Sequence, residues 1–242
     1  MKALFPILLA AMALFLPPGT THAYDINDLS IYTEEYPPYN YREDKKVAGT
    51  STEIVLEILQ RLGSKLQREN IQLVPWARAY EAVQYDTNAI IYSMAHTEHR
   101  ADLFKWACPV GRVRIGLIAP KAKHIVIRCP EDLRRYRIGV VREDIGHQLM
   151  RKIISDRDMD IANSSEQNMR KLLTGRIDLF SYDLNVARDV LRRLGLDPDQ
   201  FETVYVLEEQ DLCIGFHMDA DDELVRAFQR TLDEINREKN TP

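Results

Sequence analysis

The chain has 242 residues, of which 45% are hydrophobic, 29% are charged and 8% are aromatic. This balance excludes a disordered, low-complexity or disulfide-dense chain and predicts a folded protein with a substantial core. The formal net charge of -5 argues against a protein that binds nucleic acid through its phosphate backbone, so we expect no nucleic-acid partner.

The first 23 residues have the pattern of a secretory signal peptide. Lys2 precedes an apolar run over residues 3–16, and small residues surround a predicted cleavage point after Ala23. The apolar run is shorter than the roughly 20 residues that a membrane-spanning helix needs. We therefore predict that residues 1–23 are removed and that the mature protein is periplasmic.

An exported chain meets an oxidising compartment, yet this one contains only Cys108, Cys129 and Cys213. An odd number of cysteines without metal-like spacing permits at most one internal disulfide. Cys213 lies in the apolar run 212–216, which favours a buried, reduced side chain. A bridge between Cys108 and Cys129 is the alternative.

Strands and helices alternate along the first half of the mature chain. Residues 29–33 predict a buried strand, followed by a loop at 34–40 in which two prolines prevent regular pairing. Apolar residues at helical spacing predict a helix over 51–62, and strands are predicted at 71–74 and 89–94 with a short helix between them. Such alternation predicts a parallel sheet, whose ligands gather at the loops beyond the carboxyl ends of the strands.

The second half repeats this organisation. Strands are predicted at 113–118, 136–141 and 177–182, and helices at 145–154 and 169–173, with a short helix at 130–133. The final helix begins near Asp222, and its apolar stripe includes Leu224, Phe228 and Leu232.

The apolar stripe of the final helix must cover a core, and the second α/β unit has already filled its own. We therefore predict an α/β protein of two lobes joined by two hinge crossings. Lobe 1 comprises residues 24–111 and 211–242, and lobe 2 comprises residues 112–210.

Two stretches of the chain carry a resemblance to a known family. Residues 93–109, SMAHTEHRADLFKWACP, match a Thr-x-x-Arg motif that is followed by Phe-Ser-x-Pro, and residues 173–183, LTGRIDLFSYD, match a Gly-x-x-Asp strand. With these motifs the chain resembles the periplasmic solute-binding proteins of ABC transporters, in the polar amino-acid-binding branch with the two-lobed type II fold. The resemblance covers nearly all of the mature chain and implies a ligand cleft between the lobes.

The resemblance also implies a set of ligand residues. Arg100 falls at the position that holds the ligand carboxylate, and Asp183 falls at the position that holds its α-ammonium group. Tyr36 and Trp76 match the aromatic positions that enclose the aliphatic part of the ligand, and Ser93 contributes its backbone or hydroxyl group. Arginine donates two parallel hydrogen bonds to a carboxylate, and a carboxylate close to a cation stays ionised.

The chain departs from the family pattern at three places. Ala95 stands five residues before Arg100, where the family often has a hydroxyl residue, so it offers the ligand a backbone contact alone. Residues 142–144, Arg-Glu-Asp, replace a Gly-Thr or Gly-Ser pair, and we keep Asp144 as a candidate contact from lobe 2. Thr33 occupies the position of a carboxylate in relatives that select cationic side chains, which argues against lysine or arginine as the ligand.

We expect a monomeric, non-catalytic receptor without cofactor or metal, which captures a small amino-acid-like or carboxylate ligand for an ABC transporter permease. A sensory protein that serves a membrane receptor is one alternative. Another is a dehydratase-like enzyme acting on a small acid, with Glu143, Asp144 or His147 as its base. None of the common nucleophile or metalloprotease motifs supports the enzyme.

Overall fold

The computed structural model of the protein describes residues 25–239. The predicted signal peptide therefore lies outside the described residues. The chain is α/β, as predicted. Its strands are β1 Ser30–Thr33, β2 Tyr41–Glu43, β3 Lys46–Ala48, β4 Ile71–Leu73, β5 Ala89–Ala95, β6 Lys105–Pro120, β7 Ile138–Val141, β8 Met159–Ala162, β9 Leu179–Asp183 and β10 Phe201–Phe216.

Helices lie between the strands, and most of them were predicted from periodicity. They are α1 Thr50–Arg61, α2 Trp76–Tyr85, α3 Glu98–Ala101, α4 Ile145–Arg151, α5 Ser165–Leu173, α6 Leu184–Arg193 and α7 Asp222–Lys239. Helix α1 buries Ile54, Val55, Ile58 and Leu59. Sequence reasoning did not predict β8, β10, α3, α6 or the hairpin of β2 and β3, and it recognised only part of β6.

Eight strands form one mixed sheet in the order β4-β1-β5-β10-β6-β9-β7-β8. Strands β4, β1 and β5 are parallel at one end, and β9, β7 and β8 are parallel at the other. The central strands β6 and β10 have 16 residues each and pair antiparallel along their whole length. The expectation of a purely parallel sheet is wrong at this centre, because the chain crosses between the two ends once in each direction.

The two central strands serve different halves of the molecule. Strand β5 pairs with the end of β10 at Leu212–Phe216, whereas β9 pairs with the later part of β6 at Ile115–Ile118. We call the part that contains β4, β1 and β5 the first half and the part that contains β9, β7 and β8 the second half. The final helix α7 packs against α1 and β6, so it lies on the first half. The lobe boundaries at 111/112 and 210/211 stay a prediction.

Close packing at the start of α4 depends on a glycine. A Cβ atom on Gly146 would lie 2.6 Å from the carbonyl oxygen of Ser181 in β9. Because only glycine permits this approach, α4 begins directly against the sheet. The loop that connects β7 to α4 is thereby held at the carboxyl end of the sheet.

The disulfide differs from what the sequence suggested. Cys108 and Cys213 form a disulfide between β6 and β10, with Cα atoms 4.5 Å apart. Cys129 is not bonded to another cysteine of the described residues. The expectation of a reduced Cys213 and the alternative Cys108–Cys129 bridge are both wrong, because antiparallel pairing brings together cysteines that are 105 residues apart.

Within residues 25–239, no helix combines the length and the apolar character that crossing a membrane requires. The hydrophobic core instead lies on both faces of the sheet. Its largest cluster joins residues of both halves, including Ile31, Ile58, Ile115, Phe180 and Phe228.

Candidate functional site

Four chain segments converge at the carboxyl ends of parallel strands. Glu34 follows β1, Trp76 begins α2 after β4, Arg100 lies on α3 after β5, and Asp144 lies between β7 and α4. The first three belong to the first half of the molecule and Asp144 belongs to the second. In open α/β sheets, ligands bind at this edge.

Arg100 is the largest side chain that is fully buried. Its Nη1 donates to the carbonyl oxygen of Ala95 at 3.3 Å, and its Nη2 donates to the carbonyl oxygen of Glu143 at 3.0 Å. Its guanidinium carbon lies 5.1 Å from the ring centre of Trp76 and 5.2 Å from that of Tyr80, within the range of a cation–π contact. Arg100 therefore contacts both halves of the molecule.

One nitrogen atom of this guanidinium group makes no hydrogen bond to the described residues. The Nε atom of Arg100 is buried and has no hydrogen-bond partner among residues 25–239. Burial lowers the pKa of Arg100, while Asp144, Tyr80 and Glu34 act in the opposite direction. Arginine keeps its proton even in such surroundings, so the site holds a buried cation with a free donor.

The carbonyl oxygen of Glu143 accepts hydrogen bonds from both halves of the molecule. It accepts from Trp76 Nε1 at 2.8 Å, from Arg100 Nη2 at 3.0 Å and from Gln148 Nε2 at 3.3 Å. Glu143 has a φ of 58°, in the left-handed region that non-glycine residues rarely adopt. Sequence reasoning considered the Glu143 side chain as a base, but it did not foresee that the backbone would make this contact.

Asp144 provides a buried carboxyl group beside Arg100. Its Oδ1 accepts from the backbone N–H of Ile145 at 2.6 Å, at the start of α4. Its Oδ2 is buried and lacks a partner within the described part of the chain. Burial raises the pKa of Asp144 to about 6, although Arg100 and the backbone N–H groups favour the ionised form.

Glu34 is a second acidic group of the site, and sequence reasoning missed it. Burial raises the pKa of Glu34 well above its ordinary value, Asp144 raises it further, and Arg100 opposes the increase. Its position directly after the first strand was the available indication, since that is where parallel sheets place ligand residues. Two carboxyl groups and one guanidinium group thus share the same buried region.

The aromatic candidates lie in two separate clusters. Trp76 stacks on Tyr80, with ring centres 5.7 Å apart, next to Arg100. Tyr36 stacks on Tyr39 at 5.8 Å and meets Tyr182 edge to face at 5.5 Å. Both predicted residues are almost fully buried. Tyr80 and Tyr182 join them as aromatic residues that the motifs did not reveal.

Asp183 has a capping role that the sequence did not reveal. Its Oδ1 accepts from the backbone N–H groups of Asn185 and Val186 at 2.7 and 3.0 Å, at the start of α6. Its Oδ2 accepts from the N–H of Arg114 at 2.7 Å. Burial raises the pKa of Asp183, and these three backbone hydrogen bonds oppose that shift. Its role toward an ammonium group stays a prediction.

The two remaining candidates lie in β5. Ser93 has a φ of 60°, and its buried hydroxyl oxygen has no partner among the residues that the structure describes. Ala95 contributes its carbonyl oxygen to Arg100. No group of three or more His, Cys, Asp and Glu residues within 25–239 is arranged to hold a metal ion.

A cavity of about 240 Å³ lies beside Glu34 between the two halves. Val74 and Pro75 line it from the first half, and Asn163 and Ser165 line it from the second. Arg100 and Asp144 do not line it.

Residues 29–241 match the sequence family described as bacterial extracellular solute-binding proteins, family 3. No match was found among curated proteins. The type II fold that the resemblance implied is confirmed by solved structures.

A histidine kinase sensor domain with similarity to periplasmic binding proteins is 18% identical, with a TM-score of 0.77 over 89% of this chain and 93% of that one. An ancestral arginine-binding protein bound to glutamine is 18% identical, with a TM-score of 0.73 over 88% and 93% of the two chains. The arginine-, lysine-, histidine-binding protein ArtJ of Geobacillus stearothermophilus is 16% identical, with a TM-score of 0.71 over 87% and 91%.

Proposed function

Because the chain belongs to the bacterial extracellular solute-binding proteins, family 3, we propose that it is a periplasmic, monomeric receptor for a small amino-acid-like ligand. The ligand binds between two lobes, which close on it and present it to an ABC transporter permease. One observation carries the proposal: Arg100 Nε and Asp144 Oδ2, a buried donor and a buried acceptor on opposite halves, lack partners within residues 25–239.

This pair of atoms suits a zwitterion. A carboxylate that enters the site receives a charged donor from Arg100, and an ammonium group donates to the free oxygen of Asp144. Glu34 supplies a second carboxyl group on the ammonium side, and burial raises its pKa, which disfavours the charged form. Because a charge in a closed, poorly hydrated site must be paired, a ligand that lacks either group would leave Arg100 or Asp144 uncompensated.

The surroundings of Arg100 favour a ligand with an apolar part. Trp76 and Tyr80 form a flat aromatic surface beside Arg100. Tyr36 belongs to the second aromatic cluster, with Tyr39 and Tyr182. An apolar part of the ligand would pack on the Trp76 surface.

The contacts of Arg100 with both halves explain how binding drives closure. A ligand shifts an equilibrium between open and closed forms only through contacts that are better in the closed form. The carbonyl oxygen of Glu143 and the carboxyl group of Asp144 come close to Arg100 only when the second half approaches the first. A ligand held by Arg100 and Asp144 therefore stabilises the closed form.

A sensory receptor is the second candidate, and one of the similar folds favours it. The histidine kinase sensor domain has the same fold over 89% of this chain. Ligand recognition in the cleft is common to both functions, and only the membrane partner differs. Ligand uptake by the native bacterium after deletion of the gene distinguishes them: uptake falls if the partner is a permease and persists if it is a sensor.

A thermal-shift screen of the purified chain from Tyr24 onward tests the proposal. The compounds are the proteinogenic L-amino acids, each beside its decarboxylated and deaminated analogue. We expect at least one amino acid to raise the melting temperature and both of its analogues to fail. Mass spectrometry of the ligand after incubation should find it unchanged. Stabilisation by the decarboxylated analogue alone, or chemical turnover of the ligand, would overturn the proposal.

A further inference from the structure

We propose that His147 is a positioning residue for cleft closure: it holds Glu143 in the backbone conformation that directs the Glu143 carbonyl oxygen to Trp76 and Arg100. The position has no counterpart among the motifs that carry the resemblance. The inference deepens the proposed function, because it concerns closure of the same cleft, but its test needs no ligand.

The hydrogen bonds of His147 define its protonation. The side chain is fully buried on α4, and its Nδ1 accepts from the backbone N–H of Glu143 at 3.0 Å. An acceptor nitrogen carries no proton, so the neutral ring bears its hydrogen on Nε2. That atom lies 3.2 Å from Oδ1 of Asp156 and donates to it. The ring is therefore fixed at both ends.

Glu143 needs such support because of its backbone. A left-handed conformation is unfavourable for a non-glycine residue and persists only where the surroundings impose it. Arg151 holds the side chain of Glu143 through two hydrogen bonds, at 2.9 and 3.1 Å. His147 holds the backbone N–H of Glu143 and so fixes the peptide group that precedes this residue. The carbonyl group of Glu143 belongs to the next peptide group, whose N–H, on Asp144, donates to the carbonyl oxygen of Val141 at 3.1 Å. The two hydrogen bonds together hold the backbone conformation of Glu143.

The carbonyl oxygen of the same residue accepts from the other half of the molecule. Trp76 Nε1 and Arg100 Nη2 both donate to it, and both donors are buried in the closed form. If Glu143 relaxed to a negative φ, the carbonyl group would turn away and these donors would lose their acceptor. Buried donors without acceptors are unfavourable, so the closed form would become less stable.

Protonation of His147 has the same effect as removing it, because a protonated Nδ1 cannot accept a hydrogen bond. Its charged neighbours are Arg151 on its own helix, Asp156 from the segment Asp156–Asp158, and Glu143 from the preceding loop. Burial, followed by Arg151, lowers the pKa of His147. Neutral His147 therefore predominates at neutral pH, and acidification weakens closure.

The test measures how well acrylamide quenches the fluorescence of Trp76. The chain has two tryptophans, so the Trp106→Phe background leaves Trp76 as the single reporter. In this background His147→Leu removes the acceptor, whereas His147→Asn keeps an acceptor near the position of Nδ1. His217→Leu is the matched control, because Nδ1 of His217 accepts from the N–H of Asp219 at 2.9 Å in the same manner but outside the cleft.

We expect His147→Leu to raise the quenching constant of Trp76 about twofold at neutral pH, while His147→Asn and His217→Leu stay near the parent value. On acidification from about pH 8 to about pH 5, the parent should show a rise in quenching that His147→Asn lacks. Asp144 and Glu34 are present in both proteins, so the difference between the two profiles reports His147. Circular dichroism confirms that each variant is folded.

Equal quenching of His147→Leu and His217→Leu, or identical pH profiles of the parent and His147→Asn, would overturn the proposal. Should His147→Leu fail to fold, the pH profiles of the other two proteins decide alone. If the ligand screen is negative, the quenching results remain valid, because they need no ligand. If the quenching test is negative, the evidence for ligand binding is unaffected. The two failures are therefore distinguishable.

Discussion

Asp144 and Asp183 are two buried aspartates in equivalent local settings. Asp144 lies after β7 and Asp183 ends β9, and each caps the helix that comes next and has a pKa that burial raises. They differ in how their oxygens are used. Both oxygens of Asp183 accept backbone hydrogen bonds, whereas Oδ2 of Asp144 has no partner in the described part of the chain and lies beside Arg100.

The difference shows that a motif and a contact pattern give different information. The resemblance selects Asp183, because it implies that the aspartate at the end of this strand holds the ammonium group. The contacts of this chain favour Asp144, because a buried carboxyl oxygen without a partner is an acceptor that an ammonium group could complete. Variants of the residues around these two aspartates can separate the two assignments.

The largest effect is expected from Arg100→Met. Loss of the buried cation should weaken binding of the ligand found in the thermal-shift screen by at least about a hundredfold, because its carboxylate would be left unpaired in a closed site. Arg134→Met, at an exposed position, is the control. Calorimetric affinity that is the same for both variants would show that Arg100 does not bind the ligand.

The next effect concerns the pH dependence of folding. The folded-state pKa of Asp144, about 6, exceeds the ordinary value of 3.8, so this residue favours folding below about pH 3.8, and the benefit disappears as the pH rises through about 6. The stability of Asp144→Asn relative to wild type should therefore increase by about 2–3 kcal/mol between about pH 4 and about pH 7. Urea unfolding at both values measures it. A relative stability that stays constant would contradict the raised pKa.

Asp183→Ala should reduce the free energy of unfolding by about 2 kcal/mol, because the N–H groups of Asn185, Val186 and Arg114 lose their acceptor. Denaturant unfolding provides the measurement, provided that the m value of the variant equals that of the wild type. The exposed cap variant Ser155→Ala, which removes a contact to Arg157 at 3.4 Å, is the control and should cost much less. A loss no larger than that of the control would show that the Asp183 cap contributes little.

The smallest effect is expected from Glu34→Gln. Glu34 offers the ammonium side a carboxyl group whose raised pKa disfavours the charged form, so its replacement should weaken ligand binding only about threefold. Glu35→Gln, at the exposed neighbouring position, is the control. A loss as large as that of Arg100→Met would instead make Glu34 the main partner of the ammonium group.

Much of the fold could be predicted because burial imposes periodicity on the sequence. The apolar stripes of α1 and α7 and the continuous run of β5 are local patterns, and each formed where expected. The hairpin of β2 and β3 was missed because its residues are mostly exposed and show no apolar pattern. The length of β6 and β10 was missed because their pairing is decided by partners nearly a hundred residues away.

Sequence reasoning could propose site residues only where the expected contact requires a particular type of side chain. Arg100, Trp76 and Asp144 were chosen for their side chains, and the structure brings them together, while their roles toward a ligand stay predictions. The carbonyl oxygen of Glu143 has no sequence signature, because every residue has one. The pairing of Cys108 with Cys213 likewise depends on strand register, which the spacing of cysteines does not reveal.

The most direct test of the account is a calorimetric comparison of Asp144→Asn with Asp183→Asn. The titrant is the L-amino acid that stabilises the wild type most in the thermal-shift screen. The account predicts that Asp144→Asn loses about tenfold or more in affinity, whereas Asp183→Asn stays within about threefold of the wild type. The opposite order, with Asp183→Asn weakened and Asp144→Asn unchanged, would contradict it and return the ammonium site to Asp183.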